Sequence, residues 1–176
     1  MDTNLYLAQK LYEMGDSIRA EEICLSILGQ DKKAKEAYLL LAYICYDRED
    51  YHPSIAYLTE ADSHNCTTAE HSYLAGLNHH ACNDTLKARL SFEATIIADS
   101  HHGDAYRNLG IINQADGEVL EAASHFCRAL DIDPSDRLSR INLLNALQVL
   151  DWNKIEKNAV YQDFHRHVLD SIQITD

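Results

Sequence analysis

The sequence has few basic residues and no long apolar run. Of its 176 residues, 15 are Lys or Arg and 28 are Asp or Glu, which gives a formal net charge of −13. A nucleic-acid partner is not expected, because phosphate binding requires a basic stripe on the protein surface. No apolar stretch approaches the length of a membrane span, and no signal peptide is visible at the N-terminus. We therefore expect a cytoplasmic protein that does not enter a membrane and whose partners are neutral or basic.

Motifs for catalysis, cofactors and metals are also missing. The sequence contains no Gly-rich phosphate loop, GxSxG elbow, Rossmann fingerprint or HExxH motif. Histidine pairs such as His79 and His80 point in different directions on a helix, so they do not easily share one metal ion. The five cysteines form no CxxC pair, and this odd, scattered set favours reduced thiols over a disulfide framework. We expect no catalytic residues, no cofactor and no metal.

Residues 103–134 predict two amphipathic helices joined by a tight turn. Tyr106 and Leu109 are three residues apart and share one face of the first helix. Gly110 follows Leu109, at a place where a side chain would hold the two helices apart. Pro134 ends the second helix, because proline lacks the N–H that a continuing helix needs. The apolar stripe of that helix consists of Ala122, Phe126, Ala129 and Leu130.

This order of residue types resembles the tetratricopeptide repeat, a helix–turn–helix unit of 34 residues. The period continues along the chain without insertion or deletion, in units that begin at Met1, Lys35, Ala69, Gly103 and Arg137. The small residue of the first helix recurs as Ala8, Ala42, Gly76 and Gly110, and Leu144 stands in its place in the fifth unit. The large residue of the second helix recurs as Cys24, Leu58, Phe92, Phe126 and Val160. The resemblance implies an all-α fold: a right-handed α-solenoid of stacked antiparallel helix pairs, with residues 1–176 forming one domain.

The pattern also predicts where each helix begins and ends. The expected helices are 3–14, 17–28, 34–46, 51–63, 68–81, 85–98, 103–114 and 118–130, followed by a fifth unit from about 136. A long last helix at about 152–171 is expected to cap the stack. Asp16 is predicted to cap the second helix through its carboxylate, and Pro53 lies in a first turn, where proline is tolerated. Gly29 is predicted to lie just past a helix end.

The first helices of such repeats line a concave groove, so the resemblance implies that a partner binds there. Helical spacing selects the groove-facing columns, which are the second, fifth or sixth, ninth, and twelfth or thirteenth residues of each unit. Acids beside tyrosines in these columns suit a peptide that carries Lys or Arg. The predicted partner-binding residues are Asp2, Tyr12, Glu36, Tyr43, Tyr46, Glu70, Tyr73, His80, Asp104, Arg107, Asn108, Gln114, Asn142 and Asn145.

Two asparagines occupy the sixth column of consecutive units. Asn108 and Asn142 each offer a carboxamide that can pair with a ligand's backbone. The run Asn108-Leu109-Gly110 is similar to the asparagine ladder of the repeat region of O-linked N-acetylglucosamine transferase, which holds extended peptides. The alternative is that these asparagines, and the acids and tyrosines near them, form an ordinary solvated helix face.

We interpret the chain as a non-catalytic interaction scaffold that binds a protein or peptide segment in the groove. Two alternatives remain open. In the first, the chain is the repeat region of a larger enzyme, such as a glycosyltransferase, sulfotransferase or hydroxylase. In the second, it is a small secretion chaperone of the repeat-containing type. Exposed apolar residues at an end unit would also allow a homodimer.

Overall fold

The computed structural model of the chain describes residues 3–64 and 67–149, and all regular structure within these ranges is helical. The helices are α1 (Thr3–Glu13), α2 (Ser17–Gln30), α3 (Lys35–Asp47), α4 (Tyr51–Ser63), α5 (Ala69–Ala81), α6 (Thr85–Ala98), α7 (Gly103–Ala115), α8 (Val119–Ile132) and α9 (Arg137–Val149). The odd-numbered helices from α3 onward begin at the predicted unit starts, and the even-numbered helices keep the same 34-residue spacing. The predicted repeat phase is therefore confirmed over the described residues.

The predicted helix boundaries hold to within two residues, but one predicted helix end is wrong. Asp16 caps α2 as expected, since its carboxylate accepts a hydrogen bond from the Arg19 backbone N–H at 3.1 Å. Gly29, in contrast, lies inside α2 and does not follow its end. The chain leaves this helix at Asp31 in an extended conformation, and the Asp31 N–H donates to the Ile27 carbonyl at 2.8 Å. An extended exit needs no left-handed residue, so it does not need glycine. The predicted last helix, about 152–171, lies outside the described residues.

The chain divides into two compact units, Met1–Ala94 and Thr95–Asp176, and the division falls inside α6. In the first unit, consecutive helices from α1 to α5 pack on each other, and α3 also contacts both α1 and α5. In the second unit, α8 packs on α7 and α9, and α7 contacts α9. Within each unit the first helices of neighbouring repeats therefore lie side by side. The expectation of one domain over residues 1–176 stays a prediction.

In two hairpins the backbone of the first helix lies directly against an aromatic ring of the second. A Cβ atom placed on Gly110 would come within 2.5 Å of the Phe126 ring, and one on Gly76 would come within 2.5 Å of the Phe92 ring. Both rings are fully buried. Native Cβ atoms do not approach other atoms this closely, so both glycines are required by space. The prediction that a side chain at Gly110 would hold the helices apart is confirmed.

The two earlier hairpins have alanine in place of glycine and a smaller partner in place of phenylalanine. Ala8 and Cys24 are fully buried in one core cluster. Ala42 and Leu58 are buried in another. The residue sizes in the eighth and twenty-fourth columns therefore change in opposite directions, so that glycine accompanies phenylalanine and alanine accompanies cysteine or leucine.

Each of the first four hairpin turns contains one residue in the left-handed conformation. The φ angles are 84° at Gly15, 63° at Glu49, 60° at Asn83 and 81° at Gly117. The N–H of the residue that follows each of them donates to the carbonyl five residues earlier at 2.8–2.9 Å, which closes the first helix. Glu49 has the least favourable side chain for this conformation, so the required turn geometry overrides local preference there.

Replacing Gly110 with alanine should lower the free energy of unfolding by about 1–3 kcal/mol, because the new methyl group would overlap the Phe126 ring. A second substitution, Phe126→Leu, should recover much of this loss, since Ala42 with Leu58 already fits the same columns. Urea denaturation of the four proteins in a double-mutant cycle measures the coupling.

The matched control is Gly29→Ala, where no atom lies within 4 Å of the added Cβ. Because Gly29 is helical, this change should raise stability by about 0.5–1 kcal/mol. Strictly additive effects of Gly110→Ala and Phe126→Leu would contradict the proposed size matching.

Candidate functional site

A cavity of about 370 Å³ opens between α1 and α3 in the first unit. Its lining residues are Gln9, Tyr12, Glu13, Glu36, Leu39, Leu40 and Tyr43. All of them stand in the columns that helical spacing assigns to the groove-facing side of the first helices. Three predicted site residues, Tyr12, Glu36 and Tyr43, are thus brought together around one space.

Four lining residues were missed by the sequence-based site prediction. Gln9 and Leu39 stand in the ninth and fifth columns, and Glu13 and Leu40 in the thirteenth and sixth. The column positions alone would have identified them.

The hydroxyl groups of the two cavity tyrosines donate hydrogen bonds to carboxylates. Tyr12 on α1 donates to Asp47 at the end of α3, and Tyr43 on α3 donates to Glu70 in the first turn of α5. Burial, together with the bond to Asp47, raises the pKa of Tyr12 to about 12. Burial and the bond to Glu70 likewise raise the pKa of Tyr43 above its ordinary value. These bonds connect three consecutive first helices and hold both rings in fixed positions.

Two further carboxylates at the cavity belong to Glu13 and Glu36. Glu13 pairs with Lys10 at 2.5 Å within α1, and Glu36 lies 3.9 Å from the Lys35 ammonium group. The Glu36 side chain is 50% exposed, so it remains accessible to a ligand. With the two tyrosine-bound carboxylates, four acids outnumber two lysines in this region. The electrostatic environment therefore favours a cation.

Three further predicted residues of the first unit lie away from the cavity. The Tyr46 ring packs against Tyr51 with centroids 5.7 Å apart, and the Tyr73 ring packs against Phe92 with centroids 5.8 Å apart. Both predicted tyrosines are half-buried, so each ring serves packing at least in part. His80 is exposed in the last turn of α5.

In the second unit, Arg107 lies between two carboxylates. Its guanidinium group is 2.5 Å from Asp104 and 2.7 Å from Asp136. Asp136 also accepts from the Ser139 hydroxyl at 2.6 Å and from the Leu138 N–H at 3.0 Å, so it caps α9. Burial acts to raise the pKa of Asp136, but the bonds from Ser139 and Arg107 outweigh it and lower the pKa. Arg107 therefore ties α7 to the start of α9, and its role in partner binding stays a prediction.

The remaining predicted residues of the second unit are uncharged. The Asn108 amide donates to the Asp104 carbonyl at 2.9 Å, within its own helix. Asn142 and Gln114 are half-buried, and Asn145 is exposed on α9. The asparagine ladder stays a prediction, and Asp2 lies outside the described residues.

The buried cysteines behave as core residues. Cys24, Cys45 and Cys127 are buried free thiols. Burial raises the pKa of Cys24 to about 11, which keeps it a neutral thiol. Among the residues that the structure describes, no group of three or more His, Cys, Asp or Glu is placed to hold a metal ion. None of the described helices combines the length and apolar character needed to cross a membrane.

Comparison with curated proteins gives two distant relatives. The chain is 27% identical over 146 residues to the protein O-mannosyl-transferase TMTC1 of Mus musculus and 25% identical over 146 residues to that of Homo sapiens. Both matches cover 81% of this chain, but only 16% and 17% of the relatives. The chain thus spans a small part of the length of these proteins. No family model matches the sequence.

Comparison with solved structures decides the fold. MamA superposes with a TM-score of 0.75 at 19% identity, over 99% of this chain and 98% of MamA. YrrB, described as a TPR protein with an unusual peptide-binding site, gives 0.71 at 15% identity, over 97% of this chain and 90% of YrrB. The TPR domain of Arabidopsis OM64 gives 0.63 at 17% identity, over 66% of this chain and 97% of that domain. The chain has the tetratricopeptide-repeat fold. The predicted fold class is confirmed, and at these identities the likeness concerns the fold alone.

Removing the Tyr12 hydroxyl should affect stability in a pH-dependent way. The folded-state pKa of Tyr12 is raised, so its hydrogen bond contributes fully below about pH 10, the unfolded pKa, and is lost as the pH rises towards 12. Tyr12→Phe should therefore be less stable than the parent chain at pH 8, and the difference should shrink above pH 10. Chemical denaturation across this range checks the trend, with Tyr6→Phe as an exposed control that should change little. A constant difference at all pH values would contradict the bond to Asp47.

Replacing Arg107 with methionine should lower the free energy of unfolding at neutral pH by about 1–3 kcal/mol, because two carboxylates lose a charged donor. The pKa of Asp136 is lowered in the folded state, so its contribution is present above the unfolded pKa of about 4 and is lost as the pH falls through the folded pKa. The difference between Arg107→Met and the parent should therefore narrow below pH 4 in acid titrations of stability. Arg128→Met, at an exposed arginine of α8, is the control.

Proposed function

We propose that the chain is a non-catalytic interaction scaffold, and that the face formed by its first helices binds an extended segment of a partner protein. The observation that carries this proposal is the cavity between α1 and α3, whose lining comes entirely from the predicted groove-facing columns. A binding face predicted from repeat position alone thus coincides with a concave surface. The proposed contact residues are those of the predicted set, with Gln9, Glu13, Leu39 and Leu40 added.

The chemistry of this cavity supports peptide binding. Tyr12 and Tyr43 offer large ring surfaces, and tyrosine is enriched among residues that dominate binding energy. Their hydroxyl bonds to neighbouring helices fix the rings before a ligand arrives, so less conformational entropy is lost on binding. The same fold in YrrB is described with a peptide-binding site, which supports the proposal by analogy.

The acidic surface and the buried free thiols support a cytoplasmic location and a protein partner that is neutral or basic. We propose no nucleic-acid or membrane partner. A homodimer through the first hairpin is a secondary proposal, supported by Leu7, which is 49% exposed although Leu41 in the same column is fully buried. Sedimentation velocity of the parent chain and of Leu7→Glu tests it, because a dimer of this kind would dissociate in the variant.

A second candidate function is favoured by the match to protein O-mannosyl-transferases. The 27% identity over 146 residues supports the alternative that the chain is the repeat region of a larger glycosyltransferase. In that case the scaffold would hold a protein substrate or another domain, and the catalytic residues would lie elsewhere. The length of the complete reading frame separates the two, because only the alternative expects a catalytic domain in addition to these 176 residues.

Panning a random peptide library against the full chain tests the scaffold proposal. Peptides that bind should lose affinity about tenfold or more on Tyr43→Ala, because an aromatic anchor in a cavity is removed. Leu86→Ala is the matched control, since Leu86 is 69% exposed but lies on α6, a second helix. Thermal unfolding of both variants shows that they remain folded. Binders that depend on Leu86 and not on Tyr43 would contradict the proposed face.

A further inference from the structure

We infer that the cavity between α1 and α3 receives the side chain of an arginine from the bound segment. This inference rests on the proposed function and assigns a ligand chemistry to one part of the proposed face. It is carried by the hydrogen-bonding state of the cavity, by its charge and by its size.

Among the side chains that line the cavity, the Gln9 carboxamide offers N–H donors to a ligand, but the tyrosine hydroxyl groups do not. A tyrosine hydroxyl has one hydrogen, and those of Tyr12 and Tyr43 are directed to Asp47 and Glu70. The carboxylates at the cavity accept hydrogen bonds but cannot donate them. A ligand rich in acceptors, such as a carboxylate or phosphate, would therefore meet repulsion and few donors. A ligand rich in donors matches the cavity.

The walls of the cavity favour a flat cation over a compact one. Two tyrosine rings and Leu39 provide aromatic and aliphatic surface, and the exposed carboxylates of Glu13 and Glu36 provide negative charge. A guanidinium group is planar, stacks on aromatic rings and is more weakly hydrated than an ammonium group. It also presents its donors in a fork that suits a carboxylate. An arginine side chain can therefore contact the tyrosine rings, the aliphatic wall and a carboxylate together, whereas lysine offers only a point charge.

The cavity is large enough to hold a long side chain such as that of arginine. Its volume of about 370 Å³ lies near the lower end of the range for small-molecule sites.

The chain's own lysines do not take the place of the partner's arginine. The ammonium group of Lys35 lies 3.9 Å from Glu36, which is too far for a hydrogen bond. Lys10 is directed to Glu13 and to the Tyr6 ring, 5.9 Å from its centroid. The partner's arginine would therefore bind Glu36 in preference to the chain's own lysines.

Titration of the full chain with short peptides tests the inference by amide chemical shifts in NMR. The probes are acetyl-Gly-Gly-Arg-Gly-Gly-amide, its citrulline analogue, which keeps the shape but lacks the charge, and its lysine analogue. The arginine peptide should shift amides of α1 and α3, and the citrulline peptide should bind about tenfold more weakly. Glu36→Gln should weaken the arginine peptide about threefold, and Glu121→Gln, at an exposed acid of α8, should not.

Equal affinity for the arginine and citrulline peptides would overturn the inference, as would equal affinity for the lysine peptide. So would shifts confined to helices other than α1 and α3. These failures can be told apart from failure of the scaffold proposal itself. Library peptides that lack arginine yet depend on Tyr43 would overturn the inference and leave the binding face standing. If no library peptide depends on Tyr43, the binding face itself is wrong.

Discussion

In the first four hairpins, the distance between the two helices is set by one pair of residues, in the eighth and twenty-fourth columns of the repeat. Where Phe126 lies against Gly110, the ring packs on helix backbone, and dispersion contacts with the backbone replace those that a side chain would make. The helices are then close enough for Leu109 and Ile112 to be almost fully buried. Hairpin turns with one left-handed residue are compatible with this spacing. Neighbouring first helices can therefore align into a shared face in each unit.

The phase of the repeat could be predicted from the sequence because it depends on residue size at fixed columns. Small residues at Ala8, Ala42 and Gly76 recur without a break, and the helix starts follow them. Helix ends were less predictable, because several local arrangements can close a helix. Gly29 illustrates the difficulty, since a glycine near a helix end suggests a left-handed cap, yet the chain exits in an extended conformation at Asp31. Both exits are compatible with the local sequence, so the pattern alone does not decide between them.

The orientation of the candidate site could also be predicted, but its internal bonding could not. Helical periodicity is sufficient to place Tyr12 and Tyr43 on one side of the first helices. Their acceptors belong to the next repeat, and which carboxylate each hydroxyl reaches depends on rotamers and on the distance between helices. The same limit applies to Arg107, because its contacts with two carboxylates of its own chain could not be predicted from the sequence. A residue type suited to binding is equally suited to holding repeats together, and only the geometry separates these roles.

Because the size matching is made inside a hairpin, a whole hairpin can be exchanged between positions without loss of fit at this pair of residues. A crossover between hairpins transfers both partners together, and the chain can lengthen or shorten in steps of one repeat. A crossover within a turn would separate the partners. A chimaera that joins the helix of Ala42 to the helix of Phe126 would bring the alanine methyl group into overlap with the phenylalanine ring. A chimaera that joins the helix of Gly110 to the helix of Leu58 would leave an unfilled space between the two helices. Recombination within a turn therefore preserves the fit only between hairpins that carry the same pair, as the hairpins of Gly76 with Phe92 and of Gly110 with Phe126 do.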